Sequence, residues 1–211
     1  MDFKLWTLTA LVVLGACAQY DDLSVHRAEN SLVVTGVIDA ETEYFLREAA
    51  AANPGAKQLV LHDIPGSVDD ENSLVGLSRF VRDSNLTTVV PATGMVASGG
   101  TDLALMGRNR IIEPGACVGV HTWAAGGLFG FETGAELPRD DPAHQLYLQF
   151  YRDMGIDEEF YWFTLEAAGA DTIYWMSEDE INRFDLSTIP VKGSPAETAA
   201  QRDQRCSARL G

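Results

Sequence analysis

Gly94-Met95-Val96-Ala97-Ser98-Gly99-Gly100-Thr101 is the stretch around which this chain is read: a short apolar run, a serine among very small residues, then an apolar helical segment to Met106. A serine between the end of a strand and the start of a helix faces backbone N–H groups that have no intrahelical acceptor. Such groups can hold the negative oxygen formed when a hydroxyl attacks a carbonyl. Ser98 is therefore a candidate nucleophile and the Gly99 N–H a candidate oxyanion donor, with small neighbours that let a substrate backbone approach. The competing reading is structural, a Gly/Ala-rich helix entry that serves close packing.

Outward from this stretch, β-rich runs alternate with helical patterns. Residues 31–38, 58–62, 86–90, 110–112 and 117–120 read as strands, and 41–52, 71–82 and 99–106 as helices. That alternation predicts an α/β fold with βαβ crossovers. Residues 126–142 carry four Gly, two Pro and the acids Glu132, Glu136, Asp140 and Asp141, and are expected as a surface loop. Beyond them 143–154 and 157–168 read as two aromatic-rich helices, whose rings suit a core or a subunit interface. Self-association into a homo-oligomer is expected through them.

Fifteen Lys and Arg against 31 Asp and Glu leave a net charge of −16 over 211 residues. This excludes nucleic acid and an anionic membrane surface as main partners, since both are bound largely through basic side chains. There is no C-x-x-C, H-E-x-x-H, phosphate-cradling G-x-x-x-x-G-K or G-x-G-x-x-G between strand and helix. No metal and no cofactor is expected. The acids Asp69, Asp70 and Glu71 read as the first turn of a helix.

Residues 1–18 read as a secretory signal: an apolar run from Leu5 to Leu14 after Lys4, then small residues, too short to span a bilayer. Ala16-Cys17-Ala18 suits release before Gln19, whereas Leu14-Gly15-Ala16-Cys17 suits a bacterial lipobox with Cys17 lipidated. Export to the periplasm or lipid anchoring in the envelope follows, with any membrane contact made only through that anchor. Cys117 and Cys206 are then thiols in an oxidising compartment, either bridged or, alternatively, a small buried strand residue and a free thiol in a tail. The remaining divisions are a linker at 19–30, one domain at 31–190 and a polar, mobile tail at 191–211.

The segment from Gly94 to Gly107 resembles, without a gap, the nucleophile segment of the Clp protease proteolytic subunit. Residues 31–38 look like that family's first strand, and Gln58-Leu59-Val60-Leu61-His62-Asp63-Ile64-Pro65-Gly66-Ser67-Val68 like its strand and oxyanion loop. Residues 114–121 look like the strand that ends in its catalytic histidine. The similarity spans about residues 31–190 and is greatest to exported bacterial relatives, in which a segment like Asp171-Thr172-Ile173-Tyr174-Trp175-Met176-Ser177 follows the two helices. The resemblance implies a Clp/crotonase-type spiral of ββα units with an added C-terminal helical segment. It further implies Ser98 as nucleophile, His121 as general base, Asp171 as orienting acid, and the N–H groups of Ser67 and Gly99 as oxyanion hole. Ser67 stands where the family has a glycine, which questions whether that peptide can present its N–H. The activity implied is ATP-independent serine peptidase chemistry on peptides or unfolded segments. The alternatives are a catalytically degenerate envelope scaffold and a crotonase-like acyl-CoA hydratase or thioesterase.

Overall fold

The computed structural model describes residues 23–68, 73–127 and 130–210. The signal and lipidation readings at residues 1–18, Cys17 included, and the acids Asp69, Asp70 and Glu71 lie outside the described residues.

The chain order is β1 (Ser24–Ala28), β2 (Ser31–Thr35), α1 (Thr42–Ala52), β3 (Gln58–Ile64), a π-type turn (Ser73–Leu77), α2 (Ser78–Asp83), β4 (Thr87–Val90), β5 (Met95–Ala97) and α3 (Gly99–Leu105). There follow β6 (Arg110–Ile112), β7 (Cys117–Val120), β8 (Ala124–Gly127), β9 (Gly130–Thr133), α4 (Gln145–Met154), α5 (Glu158–Ala167), β10 (Tyr174–Trp175), α6 (Glu178–Arg183) and α7 (Ala199–Ser207).

The main sheet runs β1-β2-β3-β5-β7-β10 and branches at β3, which also pairs with β4, itself paired with β6. The first half of β3 pairs in parallel with β4 (Gln58 with Thr87), and its end pairs with β5 (Asp63 with Met95). After β4 the chain therefore turns at Pro91–Gly94 and lays its next strand on the other branch. β6 and β7 repeat the step, pairing in parallel with β4 and β5. These strand pairs, with helices between them, are the ββα units that the resemblance implies.

Burial follows the strand pattern. In β2 only Leu32 and Val34 are buried, the alternation of a strand covered on one face, whereas every residue of β5 and β7 is buried. The helix following Ser98 is buried along its whole length. Its glycines make this possible: a Cβ at Gly100 would fall on the Ile64 carbonyl of β3.

Three expectations are corrected. Residues 126–142, expected as a loop, contribute to a β-hairpin, β8 with β9, that stands apart from the main sheet. Part of the expected linker is a strand, because β1 pairs antiparallel with β2 along its full length. The polar end is docked rather than loose. Cys206 of α7 is joined by a disulfide to Cys117 of β7, with Cα atoms 5.6 Å apart, and Arg205 grips Glu197 with two N–H groups at 2.7 and 3.0 Å and the Gly115 carbonyl at 2.8 Å. Arg209 Nη2 adds a 2.7 Å bond to Asp63 of β3. Tail composition was misleading because these arginines face partners rather than water. Of the two readings given for the aromatic residues, core holds for Tyr151, Phe160 and Trp175, which are 3%, 0% and 3% exposed.

Candidate active site

Ser98 sits at the hinge between β5 and α3 with φ +53° and ψ −128°. A non-glycine residue there carries steric strain, about 1–3 kcal/mol, that surrounding structure must hold in place. The holding contacts are visible. Ser98 N–H donates to Gly119 O of β7 at 3.1 Å, Ser98 O accepts from Thr101 and Asp102 N–H groups, and Thr101 Oγ1 donates to the same Gly119 O at 2.8 Å. The elbow is thus clamped to the strand whose next residues end in His121.

Ser98 and His121 together line a groove of 410 Å³ whose opposite wall is Pro65 to Val68. That wall is held extended. Ile38 N–H donates to Gly66 O at 3.0 Å and Ile38 O accepts from Val68 N–H at 2.9 Å, so an isolated parallel bridge links Ile38 and Ser67. In an extended segment successive N–H groups point to opposite sides, so the Ser67 N–H is directed away from Ile38. Ser67 lies against the start of α3: a Cβ on Gly99 would fall on the Ser67 side chain and stand 3.0 Å from Ser67 N. Gly99 must be glycine for Ser67 to approach so closely. Ser67 does not adopt positive φ, since the only described non-glycine residues that do are Glu29, Asn85, Ser98 and Asp185. The serine in place of the family glycine is therefore unstrained in this conformation.

A second, smaller space of 30 Å³ meets the groove at Ser98 and His121 and is walled by Asp102 of α3, Tyr147 and Tyr151 of α4, Tyr161 of α5 and Trp123 from the segment after β7. Trp123, Tyr147 and Tyr161 stack, with ring planes within about 11°. Trp123 Nε1 donates to Tyr161 Oη at 2.9 Å, and Tyr161 Oη lies 2.6 Å from His144 Nδ1. His144 Nε2 is 3.0 Å from the Pro138 carbonyl, an acceptor only, so Nε2 carries a proton. Burial, opposed by the Trp123 bond, pushes the Tyr161 phenol up to about 12. His144 is fully buried and occupied in packing. His121, by contrast, reaches the groove while its Nδ1 is buried.

Of the residues singled out in the sequence, Ser98, His121, Ser67 and Gly99 are brought together. Asp171 is exposed, in the turn after α5, with its carboxylate folded over Gly169. That turn is tied to the segment after His121, as Thr122 N–H donates to Ala168 O at 3.0 Å. Asp102 was missed. Its signal was a carboxylate one helical turn beyond Ser98 inside an otherwise apolar helix. Among the described residues no three His, Cys, Asp or Glu side chains converge as metal ligands would.

No protein-family model matches the chain, and no curated protein matches it by sequence. Solved structures do. An alanine mutant of the 1510-N membrane-bound stomatin-specific protease superposes with a TM-score of 0.52 at 15% identity, over 76% of this chain and 79% of that one. An enoyl-CoA hydratase/isomerase (crotonase) structure from Legionella pneumophila gives 0.49 at 14% identity, over 90% and 79%. At such identity the likeness speaks for architecture and not for reaction. The chain shares its α/β fold with the stomatin-specific protease.

Proposed function

We propose that this protein is an exported, ATP-independent serine hydrolase of peptides or unfolded segments. The observation that carries the reading is the strained Ser98 sharing one groove with His121, opposite the Ser67 and Gly99 backbone. In this reading His121 accepts the Ser98 proton as Oγ bonds to the scissile carbonyl carbon, and the oxygen's charge falls to the Ser67 and Gly99 N–H groups. The C–N bond then breaks, the amine leaves with the proton from His121, and an acyl-enzyme remains. Water, deprotonated by His121, attacks the ester and frees Ser98. The extended 66–68 wall favours a peptide, because an extended edge can bind a substrate strand through main-chain hydrogen bonds.

The test is to incubate the mature protein with a fluorophosphonate probe and locate the adduct by mass spectrometry. Labelling at Ser98, lost in Ser98→Ala, is expected. A folded protein that is never labelled would overturn the reading and favour a binding scaffold or acyl-CoA chemistry. Intact mass of the exported protein tests processing near Cys17 or Ala18, and light scattering tests self-association.

A further inference from the structure

A base that takes the Ser98 proton becomes an imidazolium, and the cost of that charge depends on which carboxylates face His121. Three are candidates. Asp39 lines the open groove but is committed to the start of α1, accepting from Glu41 N–H at 3.0 Å and Thr42 Oγ1 at 2.9 Å. Asp171 is exposed, and a carboxylate in water projects a screened field. Asp102 is only 9% exposed and lines the smaller chamber with Ser98 and His121.

The chamber is small. At 30 Å³ it holds about two waters, on the order of 10–15 Å³ each. Asp102 itself is buried, and a charge withdrawn from water is felt several-fold more strongly by its neighbours than one in water. Tyr147 and Tyr151 of α4 and Tyr161 of α5 also face this space. Tyr151 Oη donates to Asp102 Oδ1 at 2.7 Å, and burial followed by the nearby Asp102 charge drives its phenol well above the usual range. Tyr151 is thus a permanent donor that holds the carboxylate rather than a competing acid.

We propose that Asp102 is the positioning residue for His121: its buried negative charge, fixed by Tyr151, favours the imidazolium formed when Ser98 gives up its proton. The inference deepens the Ser98–His121 reading and rests on it for its catalytic meaning.

The decisive measurement is the His121 imidazole pKa, followed by NMR in Ser98→Ala and in Ser98→Ala/Asp102→Asn. Loss of the Asp102 charge should lower it by about one unit or more. The acidic limb of the kcat/KM profile, where protonation of His121 removes the base, should move the same way in Asp102→Asn carrying an intact Ser98. An unchanged His121 pKa, or a larger fall in Ser98→Ala/Asp171→Asn, would overturn the assignment. If Asp102→Asn does not fold, Tyr151→Phe serves instead: stripped of that donor, the carboxylate should act more strongly on the ring and raise the His121 pKa, and a fall or no change counts against the proposal. A shifted pKa in a protein whose Ser98 never accepts the probe would break the hydrolase reading while leaving the electrostatic pairing intact.

Discussion

The two spaces that meet at Ser98 and His121 are built from different material. The open groove takes its essential groups from main chain, the peptides of Ser67 and Gly99 and the strained Ser98 elbow. The smaller chamber is made of side chains from three helices and from the end of β7 and the segment after it, with one buried carboxylate among stacked rings. Backbone geometry is set by local pairing and tolerates exchange of side chains. A side-chain wall can be redrawn by single substitutions. In the proposed reading the groove sets which reaction is feasible, and the chamber sets how readily the base takes up charge.

The largest effects should fall on the groove. Ser98→Ala and His121→Ala are each expected to reduce hydrolysis by roughly 10⁴-fold or more and by similar factors, because members of a catalytic unit fail together. Retained turnover in purified Ser98→Ala would break the comparison outright. Next comes the main-chain donor itself. Ser67→Pro deletes one N–H while leaving the Gly66 carbonyl and Val68 N–H bonds to Ile38 available, so acylation should slow by about 10²–10³-fold with the fold retained. Ser67→Gly should preserve or raise activity. If the Pro variant acylates normally, the wall does not supply the oxyanion donor.

Stability measurements sharpen the contrast further. Cys117 and Cys206 close a loop of 89 residues, and Cys206→Ser should lower unfolding free energy by roughly 2–4 kcal/mol, read as a reduced denaturant midpoint. Ser98→Gly should do the opposite. It removes the positive-φ strain at the elbow, so an inactive protein more stable by about 1 kcal/mol is expected, and a destabilised one would mean that the elbow stores no strain.

The smallest effect concerns pH. The Arg205 hydrogen bonds hold the Glu197 carboxyl below its ordinary range. A depressed carboxylate contributes stability that is present above its unfolded pKa and lost as pH falls through the folded one. Amide exchange in α7 should therefore accelerate in acid below the ordinary carboxylate range and not near neutrality. Glu197→Gln should flatten that acid dependence.

What the sequence determined by itself is what local pattern encodes. Alternation along 31–35 and 58–64 and the apolar 117–120 run report burial from near neighbours, and Gly99-Gly100 after Ser98 reports an elbow pressed on another backbone. The α/β class, the elbow and the strand leading to His121 are legible on those grounds. Only tertiary structure decided the rest. Asp102 meets Tyr151 across 49 positions, Arg209 meets Asp63 across 146, and Ile38 holds the Ser67 peptide in its orientation through a bridge between separate segments. A polar side chain carries no mark of whether water or a distant partner will satisfy it. Residues 126–142 and 191–211 looked like solvated loop and tail for that reason, and Asp102 was missed for the same one. Burial of a polar group is settled by hydrogen bonds that form only once remote elements pack.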